Sequence, residues 1–202
     1  MTDPTPRYFT SNGLRLHYVD WGNGDSPLLL LVHGTRDHSR SWDWVARRLQ
    51  QSWHVVCVDL RGHGDSDWSP DGDYDRLTLV NDLAEFVYLL GDPPVTIVAH
   101  SLGANIALRY AGLFPERTRK LVAIEGLGFS PDKLAERMAI PFVEHWRRWI
   151  AAKRAAQGRL QKRYSTIEDA IARMRAANHS LSADRAAHLT VHGTRRNDDG
   201  TW

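Results

Sequence analysis

The 202-residue chain is 42% hydrophobic and 25% charged, the balance of a soluble globular protein, with enough apolar side chain to rule out disorder over its whole length. Its apolar runs are far too short for a membrane-spanning helix, its N-terminal residues lack the apolar stretch of a secretory signal, and its one cysteine, Cys57, excludes an internal disulfide or cysteine-rich zinc site and predicts a cytoplasmic setting. The net charge of +2 divides into −4 over residues 1–130 (12 Lys+Arg, 16 Asp+Glu) and +6 over residues 131–202 (14 and 8), an arginine-rich solvated surface that predicts no nucleic-acid partner and no stable membrane association.

In chain order, Leu14–Val19 alternates with period two, as a strand does. Leu28–Val32 is a continuous apolar run, the pattern of a strand buried on both faces. Ser39–Trp42 opens a helical stretch to about residue 51. Val55–Val58 is a second buried run. Leu77–Leu90 carries apolar residues at helical spacing. Val95–Ala99 is a third buried run, followed at once by the helical segment from Leu102, and Leu121–Ile124 is a fourth. Buried strands alternating with helices predict an α/β fold, a mostly parallel sheet with helices on both faces. After Gly128 the pattern turns helical, over 131–157 and 165–178, with Ser165–Glu168 as a capping box. Residues 1–128 thus read as a core and 129–202 as a helical cap.

The chemistry concentrates at the ends of the buried runs. Val98-Ala99-His100-Ser101-Leu102-Gly103 spans a strand-to-helix junction, the context of a nucleophile elbow: small residues at 99 and 103 let the chain fold back and thrust Ser101 outward. The helix that follows aims its N-terminus at the site. The competing role for Ser101 is an ordinary helix N-cap. Val32-His33-Gly34-Thr35 follows the first buried run, and Asp59–Ser66 (DLRGHGDS) the second. Amides after His-Gly and after the serine are placed to bind an oxyanion together.

The order and spacing of these three motifs resemble the α/β-hydrolase family, here its N-terminal two-thirds with a helical cap. The resemblance implies Ser101 as nucleophile, the amides of Thr35 and Leu102 as oxyanion hole, His33 as the residue shaping the oxyanion loop, and the Asp59–Ser66 segment as structural. It implies no cofactor and no metal. His100 reads as packing. Family members that attack alkyl carbons, such as epoxide hydrolases, carry Asp at the nucleophile position. Ser101 suits a carbonyl carbon instead, in an ester, thioester, lactone or ketone of a small-molecule substrate.

The family's catalytic histidine follows the last strand, after an acidic residue. No strand pattern follows the cap here, so the base is expected beyond residue 202 and the chain reads as an N-terminal fragment. Its alternative is a non-catalytic binding protein or an inactive truncated product. Glu125, ending the fourth run, is a candidate acid, with a structural or substrate-orienting role as the alternative. Leu121–Ile124 would be an apolar edge strand. His145, His179, His188 and His192 fall in the cap. Phe142, Trp146 and Trp149 share one helix face, expected to cover the core and line the substrate cleft, with Trp146 as the substrate-binding candidate. Asp71, Asp73, Asp75 and Asp82 imitate a calcium loop, but Arg76 stands where glycine is required; Gly62-His63-Gly64 lacks the third glycine of a dinucleotide site.

Overall fold

The computed structural model describes residues 3–156 and 162–202. Six strands form one sheet: β1 (Thr5–Ser11), β2 (Leu14–Asp20), β3 (Leu28–Val32), β4 (His54–Val58), β5 (Val95–His100) and β6 (Thr118–Ile124), in the spatial order β1-β2-β4-β3-β5-β6. β1 and β2 are antiparallel, β2 meets β4 antiparallel, and β4, β3, β5 and β6 run parallel. The sheet is the mostly parallel α/β architecture expected. β1 is the strand that sequence patterning misses. It lies at the sheet edge, where Pro6 costs no ladder bond, and its side chains are mostly exposed.

The apolar runs of β3, β4 and β5 are continuous because both faces of the sheet are covered there, whereas the fourth run, Leu121–Ile124 of β6, expected to be buried, lies at the sheet edge with Val122 and Ile124 exposed. Along β3, Leu30 and Val32 point into one cluster with Val56, Ile97, Phe86 and Ile106. Leu29 and Leu31 point into the other, with Val55, Cys57, Trp21 and Ala46. The first cluster is roofed by α2 (Arg76–Leu89) and α3 (Leu102–Leu113), the second by α1 (Asp43–Leu49) and the 3-10 turn Ser39–Trp42 before it. Phe9, Tyr18 and Phe86 stack in the first cluster with ring centroids 4.8–6.3 Å apart.

After Gly128 the described residues form helices alone: α4 (Pro131–Met138), α5 (Phe142–Ala156), α6 (Ile167–Ala177) and α7 (Ala183–Gly193). The capping box at α6 is one residue later than Ser165–Glu168. Thr166 accepts from the Asp169 amide, and the Asp169 carboxylate accepts from the Thr166 amide. α6 packs on α7, and α7 on the 39–42 turn. There His38 Nε2 bonds the Leu189 carbonyl at 2.9 Å, and His188 Nε2 lies 3.1 Å from the Asp43 carboxylate.

The outer face of α5 departs from expectation. Phe142, Trp146 and Trp149 are 74%, 49% and 52% exposed and belong to neither core cluster. Trp146 and Trp149 line an open cleft of about 920 Å³ between α4–α5 and the loop Gly72–Asp75. Lys153 Nζ donates to the Gly72 carbonyl across it, at 2.5 Å.

Candidate functional site

Ser101 sits on the turn between β5 and α3 with φ 49° and ψ −110°, a conformation that L-residues occupy only under constraint. The constraint comes from both sides. Its amide donates to the Ile124 carbonyl of β6 at 2.9 Å, and its carbonyl accepts the Asn105 amide at 3.0 Å, the first bond of α3. The chain folds back so tightly that a Cβ on Gly103 would lie 2.5 Å from the His33 carbonyl oxygen, and one on Gly126 would lie 2.0 Å from that of Ser101. The Ser101 side chain makes no capping bond to α3, so the N-cap role does not account for it.

The loop after β3 lies against this turn. A Cβ on Gly34 would sit 3.2 Å from Ser101 Cβ and 2.8 Å from His100 Nδ1. Thr35 is exposed and Leu102 half-buried, and neither amide has a hydrogen-bond acceptor among the described residues. His33 is fully buried. Its Nδ1 donates to the Gly34 carbonyl at 2.7 Å and its Nε2 accepts the Leu60 amide at 3.0 Å. Those two bonds fix a neutral tautomer. Burial holds its pKa down to about 4, so the ring stays uncharged while it braces the loop.

The segment after β4 supports that loop from below. Asp59 is buried, which by itself would raise its pKa; hydrogen bonds from His17 and from the Ser39 amide outweigh burial and hold it at about 2. The carboxylate accepts from the Ser39 amide at 2.5 Å, from His17 Nδ1 at 2.7 Å and from the Asp65 amide at 3.1 Å. His17, Asp59 and Asp65 could meet at a cation, but the Asp59 oxygens are already engaged in ordering the loop. Arg61 forms a two-pronged, buried ion pair with Asp82 of α2, at 2.6 and 2.7 Å, and Ser11 Oγ donates to the same carboxylate at 2.6 Å. Asp82 is thus committed to Arg61 and Ser11 while Asp71, Asp73 and Asp75 cap their own turns, and the calcium-like spacing brings no such group together among the described residues.

Glu125 follows β6 with φ 62°. Its carboxylate is 76% exposed and lies 3.8 Å from His100 Nε2. The His100 side chain is 41% exposed and packs its ring over Gly34. His145 of α5 is bonded to the Arg137 carbonyl of α4 and His188 to Asp43 of α1. The ring of His192 stacks on His188 with centroids 4.7 Å apart. Trp146 lines the α4–α5 cleft with Tyr74, Arg137 and Trp149.

Residues 27–166 match the family model of the alpha/beta hydrolase fold. The chain belongs to the α/β-hydrolase family. It is 36% identical over 129 residues to an uncharacterized protein of Mycobacterium tuberculosis, covering 64% of this chain and 37% of that protein. It is also 36% identical over 117 residues to epoxide hydrolase 3 of Mus musculus, covering 57% and 32%. The fold is similar to that of the thioesterase domain from the curacin biosynthetic pathway, with a TM-score of 0.83, 23% identity and coverage of 99% of this chain and 69% of that one. The chain spans about a third of the length of the two curated relatives. Sequence reasoning located the β5–α3 turn of this α/β hydrolase and the loop facing it. It missed Gly126, whose signal is only a glycine after the last strand, and the Arg61–Asp82 pair, which joins residues 21 apart on different elements.

Proposed function

We propose that this chain carries the nucleophile side of a serine hydrolase acting on a small carbonyl substrate, an ester, thioester or lactone. Ser101 Oγ attacks the carbonyl carbon. The amides of Thr35 and Leu102 receive the developing oxyanion, and two fixed donors of this kind contribute several kcal/mol to the transition state. Glu125 is the acidic residue at the site, Trp146 meets the substrate's apolar part, and residues 129–202 form the cap. The general base in this family is an imidazole that follows the last strand. The observation that carries the reading is the backbone of Ser101 at φ 49° and ψ −110° with its hydroxyl uncapped: such strain is expected where a turn is held for function. Similarity to epoxide hydrolase 3 does not extend the reading to epoxides, because position 101 holds a hydroxyl rather than the carboxylate that opens an alkyl carbon.

The test is mass spectrometry of the Ser101 peptide after the wild-type chain and Ser101→Ala have been incubated with p-nitrophenyl butyrate. An oxyanion site leaves about 10³-fold acceleration over water even when a triad member is removed, the serine included, so the acyl adduct rather than the bulk rate separates the two chains. The wild type should carry a butyryl ester on Ser101 and Ser101→Ala should carry none. A wild-type chain without that adduct would point to the non-catalytic member of the fold.

A further inference from the structure

We infer that the cleft between α4–α5 and the 72–75 loop receives the carboxylate of a small apolar acid, with Arg137 as its receptor. This names an acidic substrate class for the reading above, and rests on that reading only in calling the ligand a substrate. Both walls of the cleft leave the carboxyl ends of parallel strands. The segment carrying Gly72–Asp75 follows β4, and α4 follows β6. Ser101 closes β5 at that same end of the sheet, and β5 lies between β4 and β6 in the strand order. Open α/β sheets bind small molecules outside this end.

The cleft volume of about 920 Å³ is within the range of small-molecule sites. Its apolar wall is Trp146 and Trp149, edge to face with ring centroids 5.6 Å apart. On the facing wall the Tyr74 ring lies so close to Gly62 that a Cβ there would come within 2.6 Å of it, so that wall is fixed to the loop after β4. Arg137, Arg148 and Lys153 bring positive charge to the cleft, and Asp73 and Asp75 negative charge.

The bonds these groups already make decide which charge is left to bind. Asp73 accepts from the Asp75 amide at 3.1 Å and from the Thr78 hydroxyl at 2.8 Å, and Asp75 accepts from the Leu77 amide at 2.9 Å as the N-cap of α2. Arg148 is paired with Glu144 at 2.8 Å, and Lys153 donates to the Gly72 carbonyl. Arg137 differs from all of these. Its guanidinium lies 4.6 Å from the Phe129 ring centroid, and none of its N–H groups has an acceptor among the described residues. Its carbonyl accepts from His145 Nε2 at 3.0 Å, which ties the end of α4 to the helix that carries the tryptophans. A guanidinium backed by an aromatic face keeps its edge free, and that edge matches a carboxylate with two parallel hydrogen bonds. A cationic ligand would meet Arg137 and Lys153 as like charges. An acid with an aromatic or branched body fills the tryptophan wall and engages the fork together.

The experiment is a ligand-observed NMR titration at low salt with 3-phenylpropionate and its neutral analogue 3-phenylpropionamide. Hydrogen bonds to a charged group are worth about tenfold or more in affinity, so the wild-type chain should bind the acid about tenfold more tightly than the amide. Arg137→Gln should bring the acid to the affinity of the amide and leave the amide unchanged, which also shows that the variant is folded. Trp146→Ala should weaken acid and amide alike, by about tenfold. Arg147→Gln removes a neighbouring cation outside the cleft and should change neither. Equal affinity for acid and amide in the wild type overturns the inference. So does an acid preference that survives in Arg137→Gln, an equal loss in Arg147→Gln, or an unchanged Trp146→Ala. None of these readouts uses the Ser101 hydroxyl, and Ser101→Ala should bind both ligands as the wild type does. A chain that selects the acid but forms no Ser101 adduct keeps the cleft and loses the nucleophile; a chain that forms the adduct without selecting the acid loses only the cleft.

Discussion

Ser101 holds a backbone conformation that costs on the order of 1–3 kcal/mol, and the surroundings that impose it are glycines and main-chain bonds rather than its own side chain. Glycine would occupy the same φ without that cost, at the expense of about 0.5–1 kcal/mol of unfolded-state entropy. Ser101→Gly is therefore expected to be more stable than Ser101→Ala by about 1 kcal/mol in urea unfolding, with both inactive; Ser101→Ala equal to or more stable than Ser101→Gly would mean the turn is unstrained. The residues around it were legible to different degrees. A serine at a strand-to-helix junction, with small residues on either side, announces a tight turn. That Glu125 meets His100 rather than Ser101 was not legible, because it depends on where β6 ends relative to β5, and nothing local to either residue encodes that register.

At the level of elements, the loop after β4 and helix α2 are joined by one buried charge pair. Arg61 and Asp82 are 2% and 3% exposed, and Ser11 of β1 completes the Asp82 hydrogen bonds. Removing one partner leaves a buried charge unmatched, which costs about 3–5 kcal/mol. Asp82→Ala should lower the unfolding free energy measured in urea by that amount, whereas Arg61→Met combined with Asp82→Leu should recover most of it. A single variant within 1 kcal/mol of the wild type would show that the pair is solvated. The buried strands were legible because each is continuous and apolar, as burial on two faces demands. β1 was not, since an edge strand with exposed side chains and a proline carries little pattern. The face of α5 misled for a related reason: helical spacing identifies an apolar stripe, but not what the stripe faces.

For the whole molecule, β1 and β6 form the two edges of the sheet among the described residues. Beyond β6 no strand pairs with it among the described residues, and Val122 and Ile124 are 51% and 43% exposed, the apolar edge that the sequence pattern implies. Acid should weaken the fold through the buried imidazole of His33 and the half-buried one of His192. Burial, the first cause in each case, lowers His33 and His192 to about 4, so between pH 6.5 and 4 the unfolded chain binds protons that the folded chain does not. Stability from these groups is complete above pH 6.5 and is lost as the pH falls toward 4; Asp59, lowered to about 2, extends the loss below pH 3.8. For fully buried His33 the slope approaches about 1.4 kcal/mol per pH unit. Melting temperature should decline steadily from pH 7 to 4, and a flat profile would contradict the buried, neutral state of His33.

The most direct test of the whole account is a crystal structure of the phosphonylated protein. If Ser101 is a nucleophile facing a preset oxyanion hole, phosphorus is bonded to Ser101 Oγ and its free oxygen lies about 2.7–3.1 Å from the amide nitrogens of both Thr35 and Leu102. Phosphorus on another side chain, or an adduct oxygen turned to solvent with those amides unengaged, would contradict it.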